Sequence, residues 1–170
     1  MSSSVPPTGN PTTSPQTGQA GSAAARILLV DDDPINQMVA IGLLRRRGWE
    51  ATAAANGKEA LQVLAQQRFD LILMDLQMPE LDGFQTASII RQNEAAPPPP
   101  EASARETTVA IRETHHHRSP HIPIIALTTA SQPGVREKCL AAGMDDFLNK
   151  PVNPRELYGM IEKYLGGARK

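Results

Sequence analysis

The sequence predicts an α/β fold, with five parallel strands in a doubly wound sheet and helices on both faces. Three observations carry this. The apolar runs Ile27 to Val30, Leu71 to Met74 and Ile122 to Leu127 are continuous rather than alternating, as in strands buried on both faces. Segments of helical periodicity separate them, so strand and helix alternate along the chain. Polar turn residues follow each run at once: Asp31-Asp32-Asp33-Pro34, then Asp75 with Met78-Pro79 and Asp82-Gly83, then Thr128-Thr129. Right-handed crossovers and five strands suit the flavodoxin-like (βα)5 order 2-1-3-4-5.

Taken in order, residues 1–25 carry no charged side chain and almost nothing to bury, which predicts a disordered tail or linker. A linker here would also fit a chain cut from a larger protein. The first strand is Arg26 to Val30. Asp33 then offers an N-cap and Pro34 a first helical turn. The helix is expected from about Ile35 to Arg47, with Ile35, Met38, Val39, Ile41, Leu43 and Leu44 as its apolar stripe. Three arginines suit its C-terminal dipole end and Gly48 stops it. Trp49 to Ala55 reads as a weak second strand. Asn56-Gly57 turns into a helix from Lys58 to Gln67, with Ala60, Leu61 and Leu64 inward.

The third strand ends in Asp75, and a helix from about Gly83 to Gln92 follows the Pro79–Gly83 loop. Residues 94–119 differ in character, with Pro97 to Pro100 in a row and His115-His116-His117. Ordinary connections of this type run about 2–6 residues, so this is a long insertion between helix 3 and strand 4. It is expected to be mostly disordered with an extended polyproline piece and a short helix over Ser103 to Arg112. The histidines have no carboxylate or cysteine at ligand spacing, so a solvated loop is favoured over a metal site. Ile122 to Leu127 is the fourth strand, Pro133 to Ala142 a helix, Asp146 to Asn149 the last strand, and Pro154 to Leu165 the last helix, with Leu157, Met160, Ile161 and Tyr164 on one face. The folded domain is thus 26–166, followed by a short tail, 167–170.

The totals narrow the function. A net charge of -1 offers no basic surface for nucleic acid or anionic membrane. The single cysteine, Cys139, rules out an internal disulfide and fits a buried structural thiol. No apolar run approaches a membrane span, and the N-terminus lacks the basic-then-apolar pattern of a secretory signal, so a cytoplasmic setting is expected.

In the 2-1-3-4-5 order, strands 1 and 3 are neighbours at the switch point, and their C-terminal ends carry Asp31, Asp32 and Asp75. Strands 4 and 5 would bring Thr128 and Lys150 to the same edge. Three converging carboxylates repel, and a hard cation such as Mg²⁺ relieves that while leaving room for phosphate oxygens. Lys150 adds a point charge suited to a phosphoryl oxygen, and Thr128 a hydroxyl donor. A carboxylate nucleophile, a metal, a lysine and a hydroxyl are the parts needed to accept a phosphoryl group.

These residues resemble a response-regulator receiver domain of two-component signalling. The resemblance is carried by Leu28 to Asp33, Leu73 to Gly83, Pro123 to Thr128 and Asp146 to Pro151. The first helix, Pro34-Ile35-Asn36-Gln37 through Leu43-Leu44, is similar to receivers of hybrid sensor histidine kinases. The resemblance implies a phosphorelay role in which Asp75 accepts the phosphoryl group from a histidine kinase or a histidine-containing phosphotransfer protein. It implies Mg²⁺ held by Asp32 and Asp75 directly, by Asp31 through water and by the backbone carbonyl of Gln77. Lys150 would pair with Asp75 and then with the phosphoryl group, across a cis Lys150–Pro151 bond. Thr128 and Phe147 would act as switch residues, with plain core packing the alternative for Phe147. The surface of the fourth helix, fifth strand and fifth helix would carry the change outward, with phosphorylation-dependent homodimerisation as one output. Such a domain catalyses only its own phosphorylation and dephosphorylation; the parent protein could be a hybrid kinase.

Two departures stand out. Thr129 follows the switch threonine where the family usually has a smaller residue, so slow loss of phosphate is expected. The insertion 94–119 enters near the opposite end of the sheet and is not assigned to catalysis. Two other readings compete. A Mg²⁺-dependent phosphatase with an aspartyl-phosphate intermediate, resembling the haloacid-dehalogenase superfamily, wants a second Asp where Gln77 stands. A pseudo-receiver that only binds partners would lack a site residue, and none is missing. No glycine-rich phosphate loop follows the first strand, as fits transfer without a nucleotide.

Overall fold

The computed structural model describes residues 24–95, 121–129 and 134–166. The expected N-terminal tail, most of the insertion with its polyproline, helical and histidine segments, Ala130 and the C-terminal tail fall outside these residues.

The elements are β1 (Arg26–Val30), α1 (Pro34–Arg46), β2 (Glu50–Ala54), α2 (Gly57–Gln66), β3 (Leu71–Asp75), α3 (Gly83–Ala95), β4 (Ile124–Thr128), α4 (Val135–Ala141), β5 (Asp146–Asn149) and α5 (Pro154–Gly166). All neighbouring strands pair in parallel, in the order β2-β1-β3-β4-β5. Alternate residues of each strand face opposite layers. Ile27, Leu29, Leu71, Leu73, Ile125 and Leu127 pack with Ala40 and Leu44 of α1 and Leu157 and Ile161 of α5. Leu28, Val30, Ile72, Met74, Ile124 and Ala126 pack with Ala60 of α2, Ala87 and Ile90 of α3 and Cys139 of α4. A sheet covered on both faces explains why its three central strands, β1, β3 and β4, read as unbroken apolar runs.

Helix α1 corrects the sequence reading. Ile35, Met38 and Val39 were expected to face inward, yet they are 65%, 68% and 57% exposed. The buried face is Ala40 with Leu44, flanked by Ile41 and Leu43. The cause is angular. At 100° per residue, six apolar positions in ten residues cover more than one side, and a helix lying on a sheet buries only one.

Helix α3 runs past its expected end at Gln92 to Ala95. Its last turn is held from outside. Arg91 Nη1 donates to Glu94 Oε2 at 2.7 Å, Nη2 to Asp145 Oδ2 at 2.9 Å and Nε to the Gly143 carbonyl at 2.7 Å. Glu94 in turn accepts from the Ile122 backbone N–H at 2.9 Å, so the two stems of the insertion are fastened to each other. Glu94 and Ala95 thus belong to α3. Helix α4 begins at Val135 rather than Pro133, with Gly134 before it in the left-handed region at φ +88°.

Candidate functional site

The site lies at the C-terminal ends of β1, β3, β4 and β5. Four strands that end level with one another place Asp31, Asp75, Thr128 and Lys150 along one edge. Asp75 closes β3 and is 6% exposed. Its Oδ2 accepts from Lys150 Nζ at 2.7 Å and its Oδ1 from the Gln77 backbone N–H at 3.1 Å. Asp31 is 1% exposed. Its Oδ2 accepts from the same ammonium at 2.7 Å, and its Oδ1 from the Asp33 N–H at 2.9 Å. Lys150 therefore bridges two buried carboxylates. Burial pulls its pKa down, but the hydrogen bonds and charges of Asp31 and Asp75 outweigh this and hold it above the ordinary lysine value. The ammonium stays charged at neutral pH.

Asp32 is exposed, and one carboxylate oxygen from each of Asp31, Asp32 and Asp75 lies within 4.8 Å of the others. An all-oxygen set of three acids is the donor chemistry a hard divalent cation takes, so these residues fit Mg²⁺. Gln77 is exposed in the loop after β3, beside the acid cluster. Thr128 is 5% exposed, and its carbonyl accepts from the Lys150 N–H at 2.7 Å. Thr129 points to solvent. Phe147 is half-buried against the layer formed with α2, α3 and α4. The Lys150–Pro151 peptide is cis.

Two further residues support this cluster. Gly83 was read as a turn signal and the start of a helix. A Cβ there would collide with the Asp75 carbonyl oxygen and stand 2.9 Å from Leu76 Cα, so the start of α3 touches the backbone of the phosphoacceptor candidate. Gln37, on the first turns of α1, donates from Nε2 to the Asp31 carbonyl at 2.6 Å. Neither contact had a sequence signal beyond residue type, because each depends on which backbone a helix meets across the fold.

The response regulator receiver domain family matches this chain over residues 27–113 and 100–162. The chain belongs to that family. Relatives of this receiver include the probable histidine kinase 1 of Oryza sativa subsp. indica, 35% identical over 149 residues, covering 83% of this chain and 15% of the rice protein. The sensor histidine kinase GacS of Pseudomonas protegens is 35% identical over 145 residues, covering 85% of this chain and 14% of that protein. The receiver thus spans about one seventh of the length of each of these two relatives. Among solved structures it is similar to the receiver domain of sensor histidine kinase PA1611 from Pseudomonas aeruginosa, which has a magnesium ion coordinated in its active site cleft. That match has a TM-score of 0.65 and 35% identity and covers 85% of this chain and 99% of the other. It is also similar to the Ssk1 receiver of Saccharomyces cerevisiae, crystallised with the histidine phosphotransfer protein Ypd1. There the TM-score is 0.67 and identity 29%, over 83% of this chain and 88% of that one. Receivers of this kind serve two-component phosphorelays, and the observed strand order agrees with that fold.

Proposed function

We propose that this receiver accepts a phosphoryl group onto Asp75 from a phosphohistidine partner in a Mg²⁺-dependent reaction. The surface of α4, β5 and α5 then carries the change to a target or to a second copy. The observation that supports it most is the single ammonium of Lys150 held at 2.7 Å from both Asp31 and Asp75 beside the exposed Asp32.

A carboxylate oxygen of Asp75 forms the new bond to phosphorus as the bond from phosphorus to the donor imidazole nitrogen breaks. The electron pair stays on the ring nitrogen, and the ring takes up one proton. Asp75 is fixed for attack because its other oxygen is held by the Gln77 N–H. Lys150 moves its charge from the Asp75 carboxylate to a phosphoryl oxygen, and the Thr128 hydroxyl donates to another. Asp32, Asp75 and the Gln77 carbonyl would hold Mg²⁺, with Asp31 reaching it through water. When bound, the ion neutralises negative charge gathering on the phosphoryl oxygens. Phosphohistidine supplies the energy, so no nucleotide site is required. The reading places the domain in the cytoplasm, within reach of such a donor; among the described residues no helix is long and apolar enough to cross a membrane.

The exposed apolar residues of α1 fit the partner. Ile35, Met38 and Val39 are exposed on the first two turns of α1, which starts directly after the capping Asp33. A phosphotransfer domain must seat its histidine over Asp75, and an apolar patch beside the cleft gives it a surface to bury. Met38→Glu is expected to slow transfer from a phosphorylated histidine-phosphotransfer domain by about tenfold, the size expected for losing an interface contact worth more than about 1 kcal/mol. Labelling by acetyl phosphate, which needs no docking, tests the chemistry separately. Equal transfer to parent and variant would remove α1 from the interface.

Thr129 is exposed and follows Thr128 directly. On this reading its β-branched side chain narrows the path of water to the phosphoryl group. Thr129→Ala is expected to shorten the lifetime of the phosphorylated species several-fold, read from the decay of the phosphorylated mass. An unchanged lifetime would dismiss the steric argument.

The direct test of the proposed function is incubation of the chain with acetyl phosphate and Mg²⁺. A single phosphoryl addition by intact mass, absent when the metal is chelated, is the expected result.

A further inference from the structure

We propose that Gln37 is a positioning residue for the metal-binding acids. Its side-chain amide fixes the Asp31–Asp32 peptide plane and so aims the Asp32 carboxylate at the cleft. The inference rests on the Mg²⁺ reading above and adds a residue outside the acid, lysine and threonine set.

The two neighbouring acids are held by different means. The Asp31 carboxylate is fixed directly, by Lys150 Nζ at 2.7 Å, the Asp33 N–H at 2.9 Å and Asn36 Nδ2 at 3.5 Å. The Asp32 carboxylate is exposed and has no hydrogen bond or ion pair among the described residues. Its direction is left to its backbone, and the peptide unit preceding it is the one whose oxygen belongs to Asp31. Gln37 Nε2 donates to that oxygen at 2.6 Å. The same nitrogen lies 3.4 Å from the Ala54 carbonyl, which also accepts from the Asp31 N–H at 3.1 Å. One side-chain amide thus ties the ends of β1 and β2 to α1, immediately beneath the acid pair.

Gln37 is itself placed rigidly. Asp33 caps α1, accepting from the Ile35 N–H at 2.8 Å, and the Gln37 N–H donates to the Asp33 carbonyl at 3.0 Å. Both targets of the Gln37 side chain are carbonyl oxygens, so only a donor serves there; an apolar side chain of equal length fills the space and leaves the Asp31 oxygen without its partner. Groups that orient metal ligands without touching the metal change affinity by about 10–100-fold when removed. Gln37 also lines the open groove on α1 with Pro34, Met38, Ile41, Gly42 and Arg45, so its outer side faces the surface proposed for the partner.

The experiment is calorimetric titration of Mg²⁺ into the unphosphorylated full chain, for the parent, Gln37→Met and Gln37→Arg. Methionine keeps the length without a donor, and arginine restores donors. The expected result is about tenfold weaker Mg²⁺ binding for the methionine variant, with the arginine variant close to the parent. Parent-like affinity for methionine, or equal losses for methionine and arginine, overturns the role of the donor. Circular dichroism checks each fold; if the methionine variant does not fold, Gln37→Ala replaces it under the same criteria. No measurable Mg²⁺ binding by the parent would instead overturn the metal reading, and this inference with it.

Discussion

Asp75→Ala is expected to abolish phosphoryl acceptance from both acetyl phosphate and a phosphohistidine donor. The loss should be at least about 10³-fold, or roughly 4 kcal/mol of barrier, since the nucleophilic oxygen itself is removed. The other acids cannot take over. Asp31 is 1% exposed and its two oxygens are occupied by Lys150, Asp33 and Asn36. Asp32 is exposed, but no described cation lies against it to neutralise a phosphoryl group there. The variant should still fold. Leu71 to Met74 keep the buried strand, and Lys150 retains Asp31 as its partner, so its charge is not left bare. Intact mass after incubation with donor and Mg²⁺ is the measurement, with circular dichroism beside it. Undiminished addition in the variant would mean that another residue is modified, and the assignment of Asp75 would fall.

Much of this site was legible in the sequence because its residues sit where strands end. A buried parallel strand is a continuous apolar run, and its last residue is marked by the first polar side chain. Asp31, Asp75 and Thr128 are found this way, Lys150 follows the short β5 one residue after its polar end Asn149, and the strand order brings all four to one edge. What was not legible is what depends on contact between elements. The inward side of α1 was misread because Ile35, Met38 and Val39 are as apolar as Leu44; residue type alone does not say which side meets the sheet. Three exposed apolar residues clustered on the first two turns of one helix are themselves informative, since such a patch suits a partner surface. The end of α3 was placed early because Arg91, Glu94, Ile122 and Asp145 come together only when the stems of the insertion meet. The roles of Gly83 and Gln37 were hidden for the same reason: each touches the backbone of a site residue, and backbone contacts leave no pattern in sequence.

Lys150→Ala is the substitution with the broadest expected effect. Without the ammonium, the buried Asp31 and Asp75 carboxylates lose their shared counter-charge while remaining within 4.8 Å of each other and of Asp32. Removing one partner of a buried ion pair typically costs about 3 kcal/mol or more, so the metal-free variant should unfold at markedly lower urea. Transfer to Asp75 should fall by about 10²-fold or more, the size expected for losing a preorganised charge beside the reacting oxygens. The pH dependence has a definite sign. The folded-state pKa of Lys150 lies above its ordinary value, so its contribution is fully present below the unfolded lysine value, about 10.4, and is lost as pH rises through the folded one. The stability gap between parent and variant that arises from Lys150 is therefore constant around neutral pH and closes in alkali. Mg²⁺ supplies the decisive comparison. In the parent, a bound cation shares the carboxylates with Lys150; in the variant it is the only positive charge left to them. Saturating Mg²⁺ should then raise the urea midpoint more in the variant than in the parent, by the linkage between ligand binding and stability. An equal shift in both would mean that Lys150 does not offset the charge of Asp31 and Asp75, and that their convergence is maintained by the strand ends alone.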